Sequence, residues 1–199
     1  MFDLGLFSMR KYLLAKHWHY FIAAFILPLS ILTLGILLPF YVLNGATIFI
    51  AVPLSILVSQ MVLYFWLWNI GKMLFDKTPF SISKEYVVFK WLIIIPASFI
   101  LFISFFLLIG AAVLGMGYIS FSTTLFSSMI IILPLWILLL LTKLYCFYFA
   151  AKVLKSSELQ RNVHLFDFLG DFLLFVFFPV GIWFIQPRLN RLVHQMDGK

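Results

Sequence analysis

The sequence predicts an all-α integral membrane protein: four transmembrane helices, a cytoplasmic-side amphipathic helix and a short C-terminal re-entrant hairpin. Three observations carry that expectation. The 199-residue chain is 64% hydrophobic and only 11% charged, whereas soluble globular domains carry about 25% charged residues. Four apolar stretches reach the roughly 20 residues that a helix needs to cross a bilayer. The cations gather in alternate loops, as they do in multi-pass chains. Residues 1–199 read as a single membrane domain.

The elements follow in order. The N-terminal "MFDLGLFSMRKYLLAKHWHY" is basic and precedes the first apolar run. That run is too long for a signal-peptide core and has no A-x-A site after it, so an uncleaved span is expected over about 20–43. Further spans are expected over about 47–70, 91–119 and 128–149. Asn44 and Gly45 tolerate left-handed backbone and suit a tight turn between the first two spans. The third and fourth are joined by the uncharged "SFSTTLF", and the second and third by the polar "GKMLFDKTPFSISKEYVVFK", with a turn at Thr78–Pro79 and then a helix start. Pro28, Pro53, Pro96 and Pro134 each stand early in an expected span. Either a duplicated helix hairpin or the ordinary tolerance of membrane helices for proline in their first turns accounts for them.

All 14 Lys and Arg residues lie before span one, between spans two and three, or from the end of span four onward. The two other loops have none, so the positive-inside rule places both termini and the 71–90 loop in the cytoplasm. The excess of 14 cations over 7 anions gives a net charge of +7. It suits anionic headgroups; no basic run is long enough for a nucleic-acid surface.

Residues 157–171, "SELQRNVHLFDFLGD", predict the amphipathic helix. Ser157 and Gln160 fit a capping box. Gln160, Arg161, His164, Asp167 and Asp171 share one face at 100° per residue, and Leu159, Val163 and Phe166 the other. Segment 172–186 carries no charge, but it is short and holds Pro179 and Gly181, which suit a sharp turn, before Gln186 and Pro187 end it. If it spanned the membrane, Arg188 and Arg191 would lie outside against the charge bias. Re-entry is therefore expected, with a short fifth span extended back to Phe166 as its rival.

Chemistry has few candidates. His164, Asp167 and Asp171 are spaced to do acid–base work on a lipid headgroup, and Arg161, Arg188 and Arg191 to hold its phosphate. The competing reading makes them the solvated face of an interfacial helix. Gln60 is the most costly in-span residue to expose to lipid and is expected at a helix contact. No ionisable side chain is expected near the middle of a span, which argues against a secondary transporter. Cys146 reads as a packing residue, and His17 and His19 as interfacial anchors. No metal or cofactor motif is present.

"YFWLWNIGKMLFDKTPFSISK", "YCFYFAAKVLKSSELQ" and "FDFLGDFLLFVFFPVGIWFIQPRLN" together resemble a group of uncharacterised multi-pass inner-membrane proteins of Bacteroidota. The resemblance implies an inner-membrane setting and no mechanism. Three functions fit the residues: a non-catalytic subunit or scaffold that binds other membrane proteins, a small enzyme or binder acting on lipid headgroups, and a homo-oligomeric pore or carrier.

Overall fold

The computed structural model describes residues 16–42, 46–75, 83–115 and 121–197, all of them helical or in short connections. The Asn44–Gly45 and Thr78–Pro79 turns, and Arg10, Lys11, Lys77 and Lys199, lie outside the described residues. The elements are α1 (His17–Phe21), a π-helical turn (Ile22–Ile26), α2 (Leu27–Val42), α3 (Ala46–Phe75), α4 (Ser83–Gly115), α5 (Phe121–Leu159), α6 (Leu165–Val176) and α7 (Phe178–Asp197). Four stretches are long and apolar enough to cross a membrane: His17–Leu37, Ile50–Phe75, Lys84–Phe106 and Trp136–Leu159.

The first of these is continuous through the π turn. Pro28 has no N–H to offer the preceding turn, and the helix widens just before it, so that the Leu27 N–H reaches back five residues to the Ile22 carbonyl. Pro96 lies well inside α4 rather than near its start.

The helices overrun the expected spans. α5 has 39 residues, about 58 Å at 1.5 Å per residue, against a hydrocarbon core of roughly 30 Å. It is therefore longer than an apolar slab is thick, and the expected 120–127 connector is already helical from Phe121.

The amphipathic helix does not begin at Ser157. Ser157 lies in the last turn of α5 with its hydroxyl buried and unbonded. Gln160 then turns left-handed at φ 50°, and its side-chain amide donates to the Ser157 carbonyl at 2.8 Å. A polar side chain closing a helix C-terminus does the work sequence reasoning assigned to a helix start. α6 begins at Leu165 with His164 as its N-cap.

The chain folds back on itself at Phe177. Asp171 and Arg188, which one continuous helix would hold about 25 Å apart, share hydrogen bonds. Pro179 sits in the first turn of α7, where its missing N–H costs nothing. Gly181 is not the turn residue: it lies within α7, and a Cβ there would stand 1.7 Å from the Leu174 carbonyl oxygen. Glycine is needed because the two helix backbones touch. Nor does Pro187 end the segment, since α7 continues through it to Asp197.

The described core gathers at the end of the bundle that carries Lys72, Lys152 and Lys155, here called the basic end. Trp66, Leu67, Ile70, Phe89, Cys146, Phe149, Phe168, Phe175, Ile182 and Ile185 are buried there. Away from it, Leu34, Leu101, Phe102, Phe105, Phe106 and Leu141 are exposed, an apolar surface of the kind a bilayer covers.

Candidate functional site

Two polar constellations stand out. The first is built where α5, α6 and α7 meet at the basic end. Arg188 projects from α7 between two carboxylates. Its Nε and Nη2 donate to the two oxygens of Glu158 at 2.8 and 2.7 Å, a fork matched to carboxylate geometry. Its Nη1 donates to Asp171 Oδ1 and its Nη2 to Asp171 Oδ2 at 3.1 Å. Lys155 completes the group, 3.6 Å from Glu158 and 4.0 Å from Asp171. Two cations face two anions, so the cluster is neutral. The hydrogen bonds that it donates to Asp171 and then Glu158 push the Arg188 pKa further up, so the guanidinium is always charged. Asp171 is only 7% exposed, too enclosed by its partners to meet an outside group.

His164, Asp167 and Arg161 form a separate group at the start of α6. The Asp167 carboxylate accepts the His164 backbone N–H at 3.0 Å. The His164 ring accepts the Asp167 backbone N–H, which closes a reciprocal capping box. Arg161 stands 3.4 Å from Asp167. The His164 N–H, helped by Arg161, holds the Asp167 carboxyl below the usual carboxylate range. The six candidates are thus not one site. Asp171 and Arg188 belong to the three-helix lock, His164, Asp167 and Arg161 to the cap, and Arg191 lies exposed further along α7.

Other ties fix this end. The buried Trp66 Nε1 donates to the buried Gln186 Oε1 at 2.8 Å, linking α3 to α7. Lys152 reaches both oxygens of Glu85 at 2.8 Å, linking α5 to α4. His17 packs on Trp183 with ring centroids 4.4 Å apart, and His19 stacks on Trp18. Buried Cys146 directs its thiol to the Leu92 carbonyl.

The second constellation lies deeper. Lys143 Nζ donates to Gln60 Oε1 at 2.6 Å. Both side chains line a cavity of about 180 Å³ between α3, α4 and α5, with Tyr64, Ile100, Ser104, Trp136 and Leu140. Lys143 lies within the fourth candidate span. Counted along α5, it stands about 14 Å from Lys152, and Gln60 is about 18 Å from Lys72 along α3. Lys143 is thus an ionisable side chain within a candidate span. Gln60 does make the helix contact expected of it, and its partner is this lysine.

Sequence reasoning missed Glu158, Lys143 and the Trp66–Gln186 pair. Lys155 and Glu158 at i,i+3 were a visible signal for an ion pair; their partner Arg188, thirty residues on, was not. Among the described residues no three His, Cys, Asp or Glu side chains group closely enough to hold a metal ion. No protein-family model matches the chain, and comparison with curated proteins and with solved structures returns no match.

Proposed function

We propose that this chain is a non-catalytic subunit or scaffold of a bacterial inner-membrane complex, with both termini cytoplasmic. In this reading α6 enters the cytoplasmic leaflet, the chain turns at Phe177, and α7 returns to the same side. α6 has 12 residues, about 18 Å, too short to cross a core of roughly 30 Å. Phe175 and Phe178 reach Trp66, with ring centroids 5.4 and 5.0 Å away, about 9 Å along α3 from Lys72. That depth suits a shallow hairpin. Phe166, Leu173, Phe177, Val180 and Phe184 are exposed along it, giving the amphipathic character of an interfacial element.

The observation that carries the functional reading is the internal use of the polar groups. Arg188 is held by Glu158 and Asp171, and His164 and Asp167 cap a helix. Among the described residues, Asp171, Arg188, His164, Asp167 and Arg161 of the headgroup candidates are spent on folding contacts, which favours the subunit over the lipid-headgroup enzyme. What remains on offer is apolar surface on a rigid frame.

A photo-crosslinking amino acid at Phe166, Val180, Leu101 or Phe106 tests this in intact membranes. The expected result is protein adducts of defined mass at one or more positions, unchanged by His164→Ala. Lipid adducts alone at every position would overturn the subunit reading.

A further inference from the structure

We propose that the cavity around Lys143 and Gln60 binds a single-chain amphiphile through its anionic head, with the acyl chain leaving toward the bilayer between the helices. This goes beyond the subunit reading and stands on different residues.

The first argument is charge. A cation held within a membrane span is costly and is found paired or facing a polar pathway. Among the described residues Lys143 has no carboxylate partner: Glu85 serves Lys152, Glu158 and Asp171 serve Arg188 and Lys155, and Asp167 serves Arg161. Gln60 supplies one acceptor, but an ammonium has three donors and no formal charge opposes it here.

The second argument is another polar group in the same wall. Tyr64 lines the cavity and is 2% exposed. Its hydroxyl lies against the Thr142 hydroxyl, which donates to the Leu139 carbonyl at 2.8 Å and keeps its lone pairs as acceptors. An anionic oxygen in the cavity would give the lysine a counter-charge and the tyrosine a stronger acceptor than a hydroxyl.

The third argument is shape. The volume, about 180 Å³, exceeds that of an apolar cavity of about 150 Å³ that takes up benzene. The wall is otherwise apolar, and Trp136 and Leu140, which belong to it, are 48% and 55% exposed. Two of its wall residues therefore also lie on the outer surface, where lipid would stand. An anionic head beside Lys143 and a chain leaving past Trp136 match this arrangement; a polar solute with no chain would leave the apolar wall unmatched.

Trp136 supplies the readout. The purified full chain in nanodiscs of zwitterionic lipid is titrated with 9,10-dibromostearate, whose bromines quench nearby indoles. Its methyl ester, with the same chain and no charge, is run beside it, and so is lysophosphatidate as competitor. The expected result is saturable quenching by the acid that is absent in Trp136→Phe. The ester should act at least tenfold more weakly. Lys143→Gln should weaken the acid at least tenfold, and Lys143→Arg should retain most of the binding. Displacement by lysophosphatidate would assign a phosphate head as well as a carboxylate; no displacement would confine the site to carboxylates. Equal quenching by acid and ester overturns the proposal, as does non-saturable quenching or quenching that survives Trp136→Phe. Because acid and ester are compared on the unaltered protein, failure of the Lys143 variants to fold does not shelter it.

Discussion

Arg188 answers to two carboxylates at once, and each should be felt when lost. Glu158→Gln or Asp171→Asn leaves a partly buried guanidinium with half its acceptors. Breaking a fully buried pair costs about 3–5 kcal/mol; the Arg188 side chain is 26% exposed, so the expected loss is smaller, about 2 kcal/mol. Thermal unfolding in detergent would read it, with the Asp171 change the larger because that carboxylate is the more enclosed. The Asp167 cap makes a different prediction. Its folded pKa is depressed, so its contribution is present above the unfolded value of about 3.9 and is lost as pH falls through the lower folded value. A carbon-13 label on the Asp167 carboxyl should titrate below about 3.9, and Arg161→Ala should bring it part of the way back. The sequence showed these residues as a polar face but not their grouping. His164 and Asp167 are a local i,i+3 box that could have been read. Arg188 with Glu158 depends on a chain reversal no local pattern reports.

Among the elements, the corner between α6 and α7 is the most constrained. Gly181→Ala sets a methyl against the Leu174 carbonyl, which is backbone and cannot swing aside. About 3 kcal/mol of destabilisation is expected, at the upper end of overpacking effects. Gly170→Ala is the matched control in α6: its added Cβ meets nothing within 4 Å, so the gain in helix propensity, up to about 1 kcal/mol, should leave stability equal or higher. Comparing unfolding midpoints of the two variants isolates the close approach from glycine's general effect. Trp66→Phe removes the indole donor to the buried Gln186 and should cost about 2 kcal/mol. The long apolar helices were legible because length and hydropathy alone define them. The start of α6 was not. "SSELQ" can open a helix or close one, and burial of Ser157 with the left-handed turn at Gln160 decides for closing. Pro187 misled for a related reason: a proline in a helix gives up one hydrogen bond, and tertiary packing of Ile185 and Leu189 holds α7 together across it.

At the scale of the molecule, the described core is dense at the basic end and apolar surface is exposed away from it. The ties from Lys152 to Glu85, from Trp66 to Gln186 and from Arg188 to both its partners bind α3, α4, α5, α6 and α7 into one frame there. Lys143 sits about 14 Å along α5 from Lys152, beside the cavity between α3, α4 and α5. The sequence placed Lys143 in the expected fourth span before its end at Phe149, but its tie to Gln60 across α3 and α5 joins residues that no local pattern links. The account stands on the chain turning back at Phe177 and returning to the side it came from. The most direct measurement is side-specific thiol labelling in a Cys146→Ser background, with single cysteines at Asn162, Phe177 and Gln195. The account predicts that Asn162→Cys and Gln195→Cys label with a membrane-impermeant maleimide from the cytoplasmic side only, while Phe177→Cys reacts only with a lipid-soluble one. Labelling of Gln195→Cys from the opposite side to Asn162→Cys would contradict it, because Arg188 could then not share a surface with Glu158 and Asp171.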